Sequence, residues 1–243
     1  MEAWGLTDVG NVREQNQDYY RISQLDEDVL LAVVCDGMGG AKAGNVASRL
    51  ACEVFSDEVA RSLKKEMTLD EMERVLRSAA ALANVSVYEH SQLSEEFRGM
   101  GTTLVSALHT PKGTLVLNIG DSRAYHIGAE GVQQVTTDHS VVELMVRRGE
   151  LTPEQAKSHP SKNLITRAVG PGTQVAADVF SVPVQEGDFL LLCTDGLSNQ
   201  MADQEILFEV IHGARTDDCC QRLLEIAKER GAPDNVTSVL ISL

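Results

Sequence analysis

The clearest hydrophobic pattern in the chain is an apolar run that ends abruptly at an acid. The run covers residues 30–35 and is followed by Asp36 and Gly37. A continuous, partly β-branched apolar run is typical of a strand buried on both faces, and an Asp-Gly pair marks its end. The same pattern recurs where residues 189–194 end at Asp195 and another glycine. It predicts two buried strands that each deliver one carboxylate to the edge of a sheet.

Two long segments have the period of amphipathic helices. Apolar residues recur every three or four positions in residues 43–64 and again in residues 69–87, as on the buried face of a helix. Thr68 and Glu71 have capping-box spacing just before the second segment. We therefore predict an antiparallel helix pair that packs on a sheet. The same period predicts two helices nearer the C terminus, at residues 203–211 and 216–230.

Shorter apolar segments separated by turns predict strands. Residues 5–18 begin as a strand and become a polar loop that contains Arg13 and Asp18. Four later segments follow one another closely and predict an antiparallel meander, at residues 102–109, 114–119, 123–127 and 132–135. Two more strands are predicted at residues 175–182 and 236–242.

The segment 141–165 interrupts these strands with a helical pattern. Thr152 and Pro153 are a helix cap followed by a proline at the first helical position. Such an insertion could lie over a site as a mobile flap, or it could be a surface decoration. The pattern alone leaves both interpretations open.

Composition and charge narrow the class of protein. The 243 residues include 36 acidic and 21 basic ones, a formal charge of -15, which argues against nucleic acid and anionic membranes as partners. No apolar run approaches the roughly 18 residues of a membrane span, and no signal peptide is recognisable, so we expect a cytoplasmic protein without membrane insertion. The five cysteines fall in apolar strands and helical patterns, which indicates reduced core thiols. We expect residues 1–243 to form a single domain.

Four acids lie at predicted strand boundaries. Asp36 and Asp195 end apolar runs, Asp121 follows a glycine at the end of a strand, and Asp234 precedes the last strand. Neighbouring strands lie about 4.8 Å apart, so acids at their ends can converge. Clustered carboxylates repel one another, and all-oxygen sites suit Mg²⁺ or Mn²⁺. Two such cations about 3.5 to 4 Å apart can hold a hydroxide for in-line attack on phosphorus.

Spacing alone leaves two interpretations of these residues open. The acids could simply form turns, because Asp-Gly is a common turn sequence. Arg13 could be a solvated loop arginine, or its planar guanidinium could hold the oxygens of a phosphate group. The repeated Asp-Gly after an apolar run gives weight to the metal-site interpretation without excluding the other.

A series of short motifs spans nearly the whole chain. It comprises Arg13–Asp18, Asp36–Gly40, Met100–Thr103, Gly120–Tyr125, Thr137–Ser140, Thr166–Gly170, Asp195–Ser198 and Gly231–Thr237. In content and order these motifs resemble those of the bacterial branch of the type 2C metal-dependent serine/threonine protein phosphatases, the PPM family. The resemblance implies an α+β fold, a four-layer α/β/β/α sandwich of two antiparallel sheets flanked by helix pairs. It also implies that the insertion at residues 141–165 is the family's flap, which is implicated in substrate access.

The resemblance further implies a binuclear Mn²⁺ or Mg²⁺ site. Asp36 would bridge the two cations. The carbonyl of Gly37 would bind one of them, and Asp195 and Asp234 would bind the other.

Three more positions match functional residues of the family. Asp121, together with Asp195, matches a third metal position described for bacterial members. Asp18 matches an acid that supports the site through metal-bound water. Arg13 matches the arginine that binds the phosphate.

The chain departs from the family pattern at positions near the metals. Gln17 stands where many members carry Glu, which removes a carboxylate near the second metal. Ala41 stands where bacterial relatives commonly carry His, and Met38 differs from the His of animal members. A general acid for the leaving oxygen is therefore not identifiable here. Water could serve. His139 is a candidate, although a structural role is the simpler interpretation, and His159 is expected to be exposed and inert.

The resemblance predicts a phosphatase that hydrolyses phosphoserine or phosphothreonine in proteins by attack of a hydroxide bridging two divalent cations, without a phosphoenzyme. Its partners would be phosphorylated proteins, including a Ser/Thr kinase, and the chain would be a monomer that reverses bacterial kinase signalling. One alternative is a catalytically weak or silent module of the same fold that binds phosphoproteins. Another is a phosphatase of small metabolites.

Overall fold

Two antiparallel sheets lie at the centre of the molecule in a computed structural model that describes residues 1–39, 43–213 and 215–243. In sheet I the strands lie in the order β1 (Glu2–Asp8), β11 (Val236–Ser242), β10 (Phe189–Cys193), β7 (Arg123–Gly128) and β8 (Gly131–Gln134). In sheet II the order is β2 (Asp18–Asp26), β3 (Val29–Met38), β5 (Leu104–Thr110), β6 (Gly113–Ile119) and β9 (Asp178–Val182), with the short β4 (Gly101–Thr102) paired to β3.

Helices cover the outer face of each sheet. The pair α1 (Ala43–Ser62) and α2 (Leu69–Ser91) packs on sheet II, and a 3₁₀ turn (Glu95–Phe97) follows it. Sheet I is covered by α5 (Asp195–Ser198), α6 (Asp203–His212) and α7 (Cys219–Glu229). The predicted α+β fold with four α/β/β/α layers is therefore confirmed.

Strand β3 is apolar along its length because both of its faces are buried. Leu31 and Val33 pack into the cluster formed with α1 and α2. Ala32 and Val34 pack into the core between the two sheets, where Leu192 is one of their partners from sheet I. Fully burying a Val or Leu side chain contributes about 1.5–3 kcal/mol, so this strand is held firmly up to the acid at its end.

Several predicted boundaries agree with the structure. Helix α2 begins after Thr68, whose Oγ1 accepts the N–H of Glu71 at 3.3 Å, while Glu71 accepts the N–H of Thr68 at 2.8 Å. The last strand, β11, has the predicted bounds of 236–242. All five cysteines are buried and unpaired, as expected for core thiols.

The predicted meander over residues 102–135 is wrong. Strand β5 pairs with β6 in sheet II, whereas β7 pairs with β8 in sheet I, so the chain crosses between the sheets after Ile119. Gly120 has a φ of +112°, and a Cβ there would lie 2.6 Å from the Cγ2 of Thr103. A glycine is needed for this crossing, because other residues rarely adopt that backbone conformation and the space is filled. Alternation along a strand does not indicate which of two sheets the strand joins.

The segment 141–165 forms a helical excursion, as predicted. It contains α3 (Val141–Arg147) and α4 (Pro153–Lys157). Its two ends are held together by the N–H of Val141, which donates to the carbonyl of Leu164 at 2.8 Å, and by a bridge between Ser140 and Ile165. Among the helices of the described residues, none combines the length and apolarity that crossing a membrane requires.

Candidate active site

Four of the predicted acids meet at one end of the sandwich. Asp36 on β3 lies opposite Asp18 on β2 in sheet II. Asp195 follows β10 and Asp234 precedes β11, which are neighbours in sheet I. Each of Asp18, Asp195 and Asp234 helps to raise the pKa of Asp36, so the two pairs face each other across the sandwich. The acids therefore converge from both sheets. We expected the ends of neighbouring strands to bring them together, and this accounts for each pair but not for the meeting of the two pairs.

Asp36 is fixed by contacts to its backbone. Its N–H donates to Oγ1 of Thr103 at 2.9 Å, and its carbonyl accepts the hydroxyl of Thr102 at 2.8 Å. Burial raises the pKa of Asp36 well above its usual range, and the negative charges of Asp18 and Asp195 raise it further. A nearby positive charge would stabilise the ionised form of a carboxyl that lies this close to other carboxyls.

Asp18 joins the two sheets. Its Oδ2 accepts the hydroxyls of Thr194, directly after β10, at 2.9 Å and of Thr237, on β11, at 2.6 Å. Its Oδ1 is buried and has no hydrogen-bond partner in the part of the chain that the structure describes. Burial raises the pKa of Asp18 to about 7, the two hydroxyls lower it, and the charge of Asp195 raises it.

Asp195 begins a helix that sequence patterns do not reveal. It is the first residue of α5, and Asn199 one turn later donates its amide to Oδ2 of Asp195 at 3.0 Å. A Cβ at Gly196 would lie 1.9 Å from the carbonyl oxygen of Asn235, so the glycine lets this turn press against the start of β11. Burial raises the pKa of Asp195, and the charge of Asp234 adds to the effect.

Asp121 lies in the crossing between the sheets, at the edge of the acid cluster. Burial raises its pKa to about 8, and the charges of Asp195 and Asp138 raise it as well. It lines a cavity of about 510 Å³ together with Asp195 and with residues of the segment 141–165 such as Lys162. The structure therefore places Asp121 near Asp195 in a cavity that this segment also lines, and a third metal position at this pair stays a prediction.

Gly37 sits where β3 approaches the first turn of α1. A Cβ at Gly37 would lie 2.1 Å from the carbonyl oxygen of Gly44, and a Cβ at Gly44 would lie 2.8 Å from that of Gly37. The N–H of Gly37 donates to the carbonyl of Gln17 at 3.0 Å. Two glycines are thus required for this close approach, and the metal-binding role of the Gly37 carbonyl stays a prediction.

Arg13 reaches the cluster from the loop between β1 and β2. Its Nη2 donates to Oδ2 of Asp234 at 2.8 Å, and its side chain is 54% exposed. The hydrogen bond that Arg13 donates to Asp234 raises the pKa of Arg13, and the negative charges of Asp234 and Asp36 raise it further. The guanidinium thus stands at the mouth of the acid cluster with much of its surface open to solvent.

His139 is engaged by the protein on both ring nitrogens. Its Nδ1 accepts the N–H of Gly120 at 3.1 Å, so Nε2 carries the proton and donates to Oδ2 of Asp178 at 3.0 Å. Arg167 donates to the other oxygen of Asp178 at 2.9 Å. Burial lowers the pKa of His139. These contacts favour the structural interpretation of His139 over that of a general acid.

Three further sequence-based statements have different outcomes. His159 is half-buried and its Nδ1 accepts the N–H of Ser161 at 3.1 Å, so the expectation of an exposed side chain is wrong. The side chain of Gln17 lies against Gly44 at the start of α1. Ala41, which stands where relatives commonly carry His, lies outside the described residues.

The donor set suits a hard divalent cation. The carboxyls of Asp18, Asp36 and Asp195 lie close together: burial raises the pKa values of Asp18 and Asp36, and the charge of Asp195 raises both further. Oδ1 of Asp18 is buried without a hydrogen-bond partner among the described residues. In the described ranges, no three side chains of His, Cys, Asp or Glu already form a closed metal-binding group. Asp234 gives one physical reason, because its carboxylate is turned toward Arg13. The oxygens present therefore fit a hard divalent cation such as Mg²⁺ or Mn²⁺.

Three residues that support the acids were not singled out from the sequence. Thr194 and Thr237 hold Asp18, and Asn235 contacts the loop that carries Arg13. Each is adjacent to a predicted acid or lies three residues beyond one. Proximity to Asp195 and Asp234 is the signal that could have indicated them, but it does not indicate which partner each would hold.

Comparison with known proteins identifies a family and close relatives in structure. A model of the family described as "Protein phosphatase 2C" matches residues 11–240. The serine/threonine phosphatase stp of Listeria monocytogenes is 35% identical over 242 residues, which cover 99% of this chain and 95% of that protein.

Solved structures agree with this match. The serine/threonine phosphatase of S. agalactiae superposes with a TM-score of 0.92 at 33% identity, covering 100% of this chain and 99% of that chain. The catalytic domain of the serine/threonine protein phosphatase PstP, solved in complex with 2 manganese ions, superposes with a TM-score of 0.82 at 30% identity, covering 98% and 96% of the two chains.

Proposed function

The chain belongs to the protein phosphatase 2C family, and we propose that Asp36, Asp195 and Asp234 hold the divalent cations with which it dephosphorylates phosphoserine and phosphothreonine in proteins. One observation carries the proposal. Acids from two different sheets meet at one end of the sandwich, with the exposed guanidinium of Arg13 beside them. A silent binding module would have no need for such a costly group of like charges.

Each acid has a separate part in the proposed site. Asp36 lies centrally and would contact two cations, Gly37 would add its carbonyl to one of them, and Asp195 and Asp234 would bind the other. The cations would be Mn²⁺ or Mg²⁺, and Mn²⁺ is supported by the manganese complex of the PstP catalytic domain. Asp121 and Asp195 together offer a third position.

Cations at such a site make water nucleophilic at neutral pH and stabilise charge on phosphoryl oxygens. Arg13 would bind the phosphate oxygens through its planar fork, which suits a tetrahedral oxyanion better than a lysine ammonium. Asp18 would support the site through water bound to the cations, with its Oδ2 held by Thr194 and Thr237 and its Oδ1 without a hydrogen-bond partner in the described residues.

The leaving oxygen of serine or threonine needs a proton. His139 has both ring nitrogens bonded to neighbouring groups, which argues against it as the donor. We therefore assign protonation to water in the cavity between the flap and Asp121. The flap residues 141–165 would control entry of the phosphorylated segment to this cavity.

The partners follow from the reaction and from the surface charge. Substrates are phosphorylated proteins, and a Ser/Thr kinase would be one of them. A formal charge of -15 disfavours nucleic acid as a partner. We also propose that residues 1–243 form a single catalytic domain, that the protein is a monomer and that it is cytoplasmic.

The test is an assay of purified protein with a phosphothreonine peptide, a sugar phosphate and p-nitrophenyl phosphate. We expect turnover of the peptide with Mn²⁺ and none with excess chelator. Asp36→Asn should lower kcat by at least about 10³-fold, since it removes the central ligand. Asp26→Asn, which changes an exposed acid at the end of β2, is the matched control and should keep full activity.

Each outcome has a defined meaning. Full activity of Asp36→Asn would refute the assigned site. Preference for the sugar phosphate would identify a metabolite phosphatase, and tight peptide binding without turnover would identify a silent module. Chelator-resistant turnover would refute metal dependence.

A further inference from the structure

The side chain of Asn235 binds three backbone groups of one loop. Its Oδ1 accepts the N–H of Gln17 at 2.8 Å, and its Nδ2 donates to the carbonyls of Val9 at 2.9 Å and Gln15 at 3.0 Å. Asn235 is only 5% exposed, so these bonds are shielded from water. A single amide thus ties together both ends of the segment 9–17, which is called the Arg13 loop below.

The Arg13 loop is held chiefly by polar contacts near its ends: besides those of Asn235, the N–H of Gly10 donates to Oδ1 of Asp8 at 2.8 Å and the amide of Asn16 donates to Oγ1 of Thr7 at 2.8 Å. Its middle residues, 11–15, are all exposed, so no apolar packing holds them. The N–H of Asn11 donates to the carbonyl of Ala232 at 2.9 Å, and its side chain donates to Lys228 at 2.7 Å. Because a polar loop without buried side chains pays a large entropy cost to hold one conformation, its shielded contacts decide where Arg13 points.

Asn235 also stands next to the carboxylate that Arg13 contacts. Its backbone N–H donates to Oδ1 of Asp234 at 2.9 Å, while Arg13 donates to Oδ2 of the same carboxylate at 2.8 Å. Asn235 therefore holds the carboxylate of Asp234 through its backbone N–H and the Arg13 loop through its side chain. The two functions can be separated by mutation, because replacing the side chain leaves the backbone N–H in place.

We propose that Asn235 is a positioning residue for phosphate binding: it holds the Arg13 loop so that the guanidinium faces the metal site. This inference rests on the proposed function, because it assumes that Arg13 binds the phosphate of the substrate. Asn235 does not touch the substrate. It acts by limiting the positions that Arg13 can adopt.

A purely structural role makes a different prediction. If Asn235 only stabilised the fold, its loss would lower the melting temperature and reduce the amount of active enzyme, with KM unchanged. If it positions Arg13, KM for the phosphorylated substrate rises because the guanidinium spends less time in the binding orientation. The effect must then disappear once Arg13 itself is removed.

The experiment compares Asn235→Ala, Arg13→Ala and the double variant with the unchanged protein, using a phosphothreonine peptide and Mn²⁺. We expect Asn235→Ala to raise KM about 5- to 20-fold and to change kcat less than about 3-fold, the range for loss of part of a charge-assisted contact. In the Arg13→Ala background, Asn235→Ala should change KM less than about 2-fold.

Asn84→Ala is the matched control. Asn84 is also buried, and its amide binds the backbone of Gly170 at 2.8 Å and Gly172 at 2.9 Å, in a segment without Arg13. Asn84→Ala should lower the melting temperature about as much as Asn235→Ala does and should leave KM within about 2-fold of its value in the unchanged protein. Hydrogen exchange of the metal-free protein adds a measurement that does not depend on turnover. The backbone amides of residues 9–17 should exchange faster in Asn235→Ala than in the unchanged protein, and at an unchanged rate in Asn84→Ala.

The inference is overturned if Asn235→Ala leaves KM unchanged, if it lowers kcat alone, or if it raises KM equally with and without Arg13. Should Asn235→Ala fail to fold, Asn235→Ser is measured by the same criteria, since its hydroxyl keeps one of the three bonds. An unchanged protein without Mn²⁺-dependent turnover refutes the proposed function instead, and the hydrogen-exchange result then still reports whether Asn235 anchors the loop.

Discussion

Arg13 and Asp234 are bound to each other, with Nη2 of the arginine 2.8 Å from Oδ2 of the aspartate. The proposed phosphate-binding group therefore contacts a proposed metal ligand directly. The two side chains are 54% and 35% exposed, and such exposed pairs contribute only about 0–1 kcal/mol to stability. The contact matters for geometry, because a cation at Asp234 and a phosphate at Arg13 would meet at the same place.

Replacing Arg13 should impair substrate binding without harming the fold. Arg13→Ala is expected to raise KM for a phosphothreonine peptide about 10- to 100-fold, since hydrogen bonds to charged groups contribute about 1.5–3 kcal/mol. Arg13→Lys should be intermediate, because it keeps the charge and loses the planar fork. The melting temperature should shift by less than about 3 °C. Initial rates over a range of peptide concentrations give KM, and a wild-type value for Arg13→Ala would contradict the assigned role.

His139 should act on structure and not as an acid. His139→Asn can keep an acceptor for the N–H of Gly120, whereas His139→Leu leaves that buried donor unpaired, at a cost of about 1–3 kcal/mol. We therefore expect His139→Leu to melt about 2–12 °C lower than the unchanged protein and His139→Asn to melt closer to it. The pH profile of kcat for His139→Asn should keep its shape. Loss of one limb of that profile would instead identify His139 as a proton donor.

The buried acids should make the metal-free protein less stable as the pH rises. The folded-state pKa is about 7 for Asp18 and about 8 for Asp121, raised in both cases first by burial, against about 3.9 in an unfolded chain. The folded state therefore binds more protons between these values, and the stabilisation present below about pH 4 is lost as the pH rises through about 7 to 8. With chelator present, the melting temperature should fall from about pH 5 to about pH 8.5.

A control variant tests the origin of this pH dependence. Asp121→Asn removes one titrating group at the edge of the cluster and should flatten the decline between about pH 5 and about pH 8.5. Asp26→Asn, an exposed acid, should leave it unchanged. A melting temperature that does not fall over this range in the metal-free protein would show that these carboxyls are already ionised in the folded state without cations.

Much of the local structure could be predicted from the chain because the determining interactions are local. The box at Thr68 and the period of α2 depend on residues within a few positions of one another. The acids at 36, 195 and 234 could be located as strand boundaries for the same reason. Their convergence from two sheets could not be predicted from these local patterns, because it depends on which strands pair: β3 lies in sheet II, whereas β10 and β11 lie in sheet I.

The supporting residues of the site depend on long-range contacts. Thr237 holds Asp18 across 219 positions of sequence, and Asn235 holds Gln17 across 218. Nothing in the local pattern of either residue differs from that of an ordinary strand beginning. The helix α5 was missed because four residues are too few to show a helical period.

Cation binding should stabilise the protein and should require Asp36. A ligand that binds only the folded state at 100 times its Kd adds about 2.7 kcal/mol, which corresponds to a rise of about 5–11 °C in melting temperature for a chain of this length. We expect this rise with Mn²⁺ in the unchanged protein, and little or none in Asp36→Asn. Asp121→Asn should keep most of this rise, because Asp121 lies at the edge of the cluster and serves only the third position.

Elemental analysis provides a second measurement. The metal content should fall by one cation or less in Asp121→Asn and by more in Asp36→Asn. An equal rise in all three proteins would place the bound Mn²⁺ elsewhere, since removal of the central carboxylate would have had no effect on its affinity.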